Sequence, residues 1–284
     1  MRRSILSLLV LSLVAVALAG CASSGSTSSG SGSSSPGHVF VIMMENRTYE
    51  QAMGGGYTSS LAKDYAAATD YHAITHPSLP NYLALTSGST WDITNDKYQA
   101  LPSGEDLGSE LTSANIPWRA YMEDMSDGCL KSKKPYALNH NPFAFYGGQC
   151  PENVVNLSED LSELDADLSG QTPNFVWITP NLCHQGHDCS VSAGDQWLEE
   201  VVPKITDSDA WKQDGVLFIM WDEDDKKSKS ENRVALIVVA PDLKEHQTDA
   251  YYDHYSLLAT IEDRLGVERL GDAEIAQPIE DLFQ

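Results

Sequence analysis

Three stretches of this chain are almost unbroken apolar runs: residues 38–44 (HVFVIMM), 215–221 (GVLFIMW) and 234–240 (VALIVVA). A strand with one wet face alternates polar and apolar residues, whereas a strand covered on both faces does not. These runs therefore predict strands deep inside a covered sheet. Further strands are expected at 118–122 and 174–179, and a short strand or connector at 66–71. Elsewhere the apolar spacing takes the helical period. Helices are expected at 57–65, 106–114 and 157–168. Another is expected at 193–205, where Trp197, Val201 and Ile205 recur every four residues, and a last one at 255–265, stopped by Gly266. Strands and helices alternate throughout, which predicts an α/β fold with a mostly parallel central sheet and helices on both faces. Residues 123–156 show no period and are rich in Gly, Pro, Asn and Lys, so a long loop is expected there. With no internal repeat and no second break in composition, 38–284 reads as one domain.

The residues before 38 differ. A short basic start, Met1-Arg2-Arg3, leads into an apolar run over 5–18, the length of a signal-peptide core. A membrane-spanning helix needs about 20 apolar residues. Leu18-Ala19-Gly20-Cys21 resembles a bacterial lipobox. That resemblance implies a signal peptide over 1–20, cleavage before Cys21, a lipid anchor on its thiol, and export to the outer face of a membrane. Residues 22–37 are nearly all Ser, Gly and Thr, a composition expected to act as a tether. The other cysteines are Cys129, Cys150, Cys183 and Cys189. In an oxidising compartment an even number suggests two disulfides with three possible pairings, of which sequence proximity favours Cys129–Cys150 and Cys183–Cys189. A metal site from Cys183, His184, His187 and Cys189 is the competing reading.

The formal net charge is −23 over 284 residues. Such acidity repels a phosphate backbone, which excludes nucleic acid as an expected partner, and it opposes broad adhesion to anionic lipid.

In open α/β sheets, sites form at the carboxyl ends of strands. Here the 38–44 run leads into Glu45-Asn46, and the 215–221 run into Asp222-Glu223. The 174–179 strand leads into Asn181, His184, His187 and Asp188, and His254 precedes the last helix. Glu45, Asn46, Asp222 and Glu223 are hard oxygen donors suited to one divalent cation: Ca²⁺, Mg²⁺ or Mn²⁺, with Zn²⁺ an option. Each piece also has a plainer reading. Glu45-Asn46 is a strand-to-loop turn, 222–225 a solvated acidic loop beside Lys226, Lys227 and Lys229, and His254 a cap. Their shared position at strand ends is what those plainer readings leave unexplained.

The stretch 75–88 (THPSLPNYLALTSG) sets Ser78 between Pro77 and Pro80, just ahead of an apolar helix. Proline suits a first helical turn. A hydroxyl there stands where free N–H groups and the helix macrodipole favour an anion, so it is placed to attack phosphorus. The plainer reading is an N-cap serine.

Five motifs in order carry a resemblance: VIMMENRTYEQAMGGG, YHAITHPSLPNYLALTSG, ITPNLCHQGHDCS, MWDEDD and DHYSLLATIEDRLG. They look like the bacterial phosphoesterases that include secreted acid phosphatases, phosphatidylinositol-3-phosphate phosphatases and phospholipases C, within the alkaline phosphatase-like superfamily. The resemblance runs from about His38 to about Leu270. It implies an alkaline phosphatase-like fold, Ser78 as a nucleophile that forms a phosphoserine, and Asn81 donating to the phosphoryl oxygens. It further implies that Glu45, Asn46, Asp222 and Glu223 hold the metal, and that His187 and His254 face the phosphate or leaving group. His72 and His76 flank the nucleophile. The expected substrate is a small phosphorylated molecule, including a phospholipid head group. Relatives often carry glycine soon after the acidic pair, whereas this chain has Asp224-Asp225 and then lysines, a departure that bears on the leaving-group pocket. The length accords with a compact phosphomonoesterase rather than a larger phospholipase C.

Two rivals remain at this stage. Ser78, Asp222 and His254 follow the order of an α/β-hydrolase triad, although no G-x-S-x-G elbow surrounds Ser78. A lipid-anchored binding protein for phosphate compounds would need no nucleophile at all.

Overall fold

The computed structural model describes residues 37–54 and 56–283. The expected signal peptide, the lipidated Cys21 and the tether up to residue 36 lie outside the described residues. In chain order the elements are β1 (Val39–Met44), α1 (Tyr49–Ala52), α2 (Gly56–Asp64), β2 (Ala66–His72), α3 (Ser78–Ser87), α4 (Leu107–Ser113), β3 (Trp118–Glu123), β4 (Val154–Leu157) and α5 (Ser162–Ser169). There follow β5 (Phe175–Thr179), α6 (Val191–Asp207), α7 (Asp209–Asp214), β6 (Val216–Trp221), β7 (Arg233–Val239), β8 (Gln247–Thr248), β9 (Tyr252–Asp253) and α8 (His254–Leu265).

The strands form one sheet in the order β4-β3-β5-β1-β6-β7-β2-β8, with β9 also paired to β2. Every residue of β1, β5 and β6 is buried, as their unbroken apolar runs require. The helices fall into two packing groups. In one, α2 packs on α6, which packs on α5 and α7; in the other, α3 packs on α4 and α8. This is the expected α/β layering.

One strand departs from the parallel pattern: β7 runs antiparallel to both β6 and β2. Its composition suits either direction, because both of its faces are covered. The connection from β6, residues 222–232, contains no helix, and a parallel return needs a crossover of about a dozen residues or more. Five short elements escaped the sequence reading: α1, β4, α7, β8 and β9. Strand β4 lies where the loop 123–156 was expected to end, and its half-wet VVNL pattern is too short to stand out. Helix α7 follows α6 after a single capping residue, Ser208, whose side chain accepts from Trp211 N.

Register aligns the ends that matter. Met44 of β1 faces Trp221 of β6, and Asp222 N donates to Met44 O at 3.0 Å, so Glu45 and Asp222 leave the sheet side by side.

Candidate active site

Ser78 is the first residue of α3, not its cap: the cap position is Pro77, which offers no side-chain hydrogen bond. The Ser78 hydroxyl therefore does not serve the helix backbone. Its Oγ lies 3.1 Å from Glu45 Oε2 and 3.2 Å from Glu223 Oε1. The other end of α3 closes on Gly88 in the left-handed region (φ 65°), where an added Cβ would meet Leu270 O at 1.9 Å. All residues of α3 are buried, so the hydroxyl is held by a helix enclosed in protein.

Glu45, Asp222 and Glu223 are all buried. Asn46 turns the chain at φ 45°, donates its backbone N–H to Asp222 Oδ1 (3.1 Å) and its amide to Glu223 Oε1 (2.8 Å). Burial raises the pKa of all three carboxyls. Asp222 then adds to the rise at Glu45, and Glu223 to that at Asp222. His76 Nδ1 contacts Glu223 Oε2 and partly opposes the rise there. Asp222 Oδ2 is buried with no partner. An orphaned carboxylate oxygen beside two more buried carboxyls is a donor set that a hard divalent cation fits. Among the described residues no three His, Cys, Asp or Glu side chains are grouped so that they could hold a metal ion as they stand; Glu45 and Glu223 are turned onto the serine hydroxyl instead.

Two expected residues, Asn81 and His254, take different places from those foreseen. The Asn81 amide is spent on the loop before the helix. Its Oδ1 accepts from Ile74 N and Thr75 N (both 3.0 Å), and its Nδ2 donates to Thr75 O (2.8 Å) and Pro77 O (3.2 Å). It shapes the nucleophile loop, and in this arrangement no donor is left for a phosphoryl oxygen. His254 is fully buried. Its Nδ1 meets Tyr71 Oη and its Nε2 meets the Asp222 carbonyl, both at 2.7 Å, and burial pushes its pKa down to about 4. It braces Asp222 from behind rather than facing a leaving group. The same geometry removes the α/β-hydrolase triad: His254 meets a carbonyl, and Ser78 meets carboxylates rather than an imidazole. His187 is exposed, hydrogen-bonded through Nδ1 to Asp188 (2.8 Å), with its ring 5.8 Å from that of His140.

His140 was not foreseen. It is buried, with Nε2 3.2 Å from Glu45 Oε1 and Nδ1 3.0 Å from Gln185 Nε2, and burial pushes its pKa down to about 3. It stacks on Tyr82 (5.3 Å, 4°), whose hydroxyl donates to Glu45 Oε1 at 2.5 Å. No local pattern marks His140, since it sits in a short turn (Leu138–His140) inside the aperiodic segment. His72 lies apart, between Asp70 and the Glu231 carbonyl.

The cysteines pair as Cys129–Cys150 and Cys183–Cys189, so the Cys/His metal reading does not hold. Instead, Asn181 and His184 wire the second disulfide loop to β3: Asn181 N and His184 Nδ1 both meet Glu123, each at 2.8 Å. Arg47 ties the Glu45-Asn46 turn to the same loop through the carbonyls of Gly186 (2.5 Å) and Cys189 (2.9 Å). Two disulfides accord with an oxidising compartment outside the cytoplasm. Among the described residues no helix is long and apolar enough to cross a membrane.

The chain is 27% identical over 252 residues to a probable acid phosphatase of Kluyveromyces lactis, covering 82% of this chain but only 59% of that protein. It is 30% identical over 265 residues to a phosphatidylinositol-3-phosphatase of Mycobacterium tuberculosis, covering 87% and 82%. In fold it is similar to a Vibrio parahaemolyticus protein of the alkaline phosphatase superfamily (TM-score 0.61, 13% identity, 88% of this chain and 72% of that one). The model of the Phosphoesterase family matches residues 55–268, and the chain belongs to that family.

Proposed function

We propose that this protein is a metal-dependent phosphoesterase, an acid phosphatase that hydrolyses phosphate monoesters through a phosphoserine on Ser78. The observation that carries this reading is the Ser78 hydroxyl, set at the amino end of α3 between two buried carboxyls. The relatives named acid phosphatase and phosphatidylinositol-3-phosphatase support it. The hydroxyl gives its proton to Glu45 or Glu223 as Oγ bonds to phosphorus. The P–O bond to the alcohol breaks in line, and His187, whose Nε2 has no partner among the described residues, gives the leaving oxygen its proton. Water then cleaves the phosphoserine and restores the serine. Glu45, Asn46, Asp222 and Glu223 would hold one divalent cation; when bound, it neutralises phosphoryl charge and favours the serine alkoxide. Tyr82 and His140 fix Glu45, while His254 and Asn46 fix Asp222.

A phosphoinositide monoester is the second reading. It is favoured by the relative of that activity, which the alignment covers over most of its length. Export with a lipid anchor at Cys21 belongs to the same proposal.

The test is hydrolysis of p-nitrophenyl phosphate with and without EDTA, followed by restoration with Mg²⁺, Mn²⁺ or Ca²⁺. Ser78→Ala is expected to remove turnover by about 10³-fold or more and to leave the fold intact. Phosphate on Ser78 in acid-quenched protein is the expected intermediate. Tight phosphate binding without turnover would favour the receptor, and turnover by Ser78→Ala would end the nucleophile assignment.

A further inference from the structure

The loop between β6 and β7, which opens on Asp222-Glu223, carries three lysines, Lys226, Lys227 and Lys229, in a chain of net charge −23. All three are exposed, and none has a side-chain partner among the described residues. Elsewhere Lys133, Lys134, Lys204 and Lys212 are held in ion pairs, while Lys63, Lys97, Lys131 and Lys244, scattered over the chain, are not. The loop also carries Asp225 and Glu231, both exposed. Asp225 Oδ1 is turned onto the loop's own backbone at Lys227 N (3.0 Å).

The base of the loop is tied to the nucleophile. Asp224 is buried and accepts from the hydroxyls of Ser228 and Ser230. Its N–H donates to Asn232 Oδ1 (2.9 Å), and Asn232 Nδ2 donates to Thr75 O (2.9 Å) in the loop that leads to Ser78. His76 spans the remaining gap: its Nε2 lies 3.4 Å from Asp224 Oδ1, its Nδ1 contacts Glu223, and Glu223 contacts Ser78. Three ammonium groups on flexible stems are thus carried by a pinned base, one imidazole away from the carboxylates beside the reacting hydroxyl.

We propose that Lys226, Lys227 and Lys229 form a second anion subsite, which selects phosphomonoesters carrying another anionic group over those with a neutral tail. The inference rests on the phosphoesterase reading and names the substrate class for the same site. The carboxyls around Ser78 would repel a second anion, so the lysines supply the attraction that the catalytic centre lacks. A polyol bisphosphate and a phosphorylated lipid head group share this chemistry: one phosphate at Ser78, the other anion on the lysines.

The test compares kcat/KM for a hexose bisphosphate and a hexose monophosphate, with p-nitrophenyl phosphate as reference, in the wild type and in the triple variant K226Q/K227Q/K229Q. A preference of about tenfold for the bisphosphate is expected in the wild type, shrinking with salt and lost in the glutamine variant. Turnover of p-nitrophenyl phosphate should stay within about twofold, because exposed charges away from the reacting atoms contribute little to it. The variant K226R/K227R/K229R should keep the preference. A phosphatidylinositol phosphate in phosphatidylcholine vesicles forms a second arm: loss of preference there alone assigns the subsite to a head group, and loss with the soluble bisphosphate alone to a soluble substrate. An unaltered preference in the glutamine variant, or none in the wild type, overturns the inference. Calorimetric binding of the two hexose phosphates to Ser78→Ala reads the subsite without turnover. A wild type inactive on p-nitrophenyl phosphate would therefore count against hydrolysis alone, while equal binding of both ligands would count against the subsite alone.

Discussion

The carboxylate of Asp96 accepts the backbone N–H of Leu79 at 3.1 Å. Leu79 follows Ser78 in the first turn of α3, so an anionic group already sits at the helix end where a phosphoryl oxygen is proposed to arrive. Asp96 also adds to the rise in pKa that burial causes at Glu223. Asp96→Asn keeps the shape and removes the charge. Inorganic phosphate is then expected to inhibit about fivefold more tightly, the equivalent of ~1 kcal/mol, read as a competitive inhibition constant against p-nitrophenyl phosphate. Weaker inhibition would mean that Asp96 supports the helix end rather than competing with substrate.

Asp222 Oδ2 is buried without a partner beside two more buried carboxyls, an arrangement that the proposed cation would relieve. At a hundredfold excess over its dissociation constant, a divalent ion is expected to stabilise the fold by about 2.7 kcal/mol, or roughly 5–10 °C in Tm. Asp222→Asn should lose that response while melting no lower than the wild type in EDTA. A full cation-induced shift in the variant would remove Asp222 from the ligand set.

On α8, two turns beyond His254, Glu262 is buried, with Oε1 accepting from Leu270 N (3.0 Å) and Oε2 unpartnered. Burial pushes its pKa up to about 9 from 4.5, with the Glu110 charge adding to the rise. The folded state therefore keeps a proton that the unfolded chain releases, and this contribution to stability declines as pH rises from about 4.5 towards about 9. Urea unfolding at about pH 5 and about pH 8 should show a steeper loss for the wild type than for Glu262→Gln. Parallel curves would contradict this.

The Cys129–Cys150 disulfide closes the segment that carries His140 against Glu45. Removing it as Cys129→Ala with Cys150→Ala is expected to cost about 3 kcal/mol. A drop in kcat/KM should accompany the fall in Tm, because His140 and Tyr82 hold Glu45 in place. Unchanged kcat/KM at a temperature where the variant stays folded would show that His140 holds its position without the crosslink.

What the sequence could disclose followed from periodicity and from strand ends. The apolar runs that became β1 and β6 placed Glu45 and Asp222 at neighbouring exits, and the prolines around residue 78 marked the start of α3. Side-chain direction was not legible. His254 stands at the expected place, yet its two ring nitrogens are taken by Tyr71 and the Asp222 carbonyl, partners distant in sequence. Asn81 likewise turns back onto its own loop, a choice made by backbone geometry that residue spacing does not encode. His140 and Asp96 were hidden because both lie in aperiodic segments and meet the site only through the tertiary fold. Tyr82 read as one more apolar helix residue, and only burial beside Glu45 gives its hydroxyl a task.

Strand β7 is reached without a crossover helix. A connection of that kind can be lengthened, trimmed or given new charges without rethreading any layer of the protein. Its first residues, Asp222 and Glu223, belong to the centre around the hydroxyl, whereas the stretch 225–231 supplies none of the reacting atoms. Diversification of substrate choice is therefore separable here from the chemistry itself, and exchanging residues 225–231 between relatives should transplant preference while the hydrolytic engine runs on unchanged.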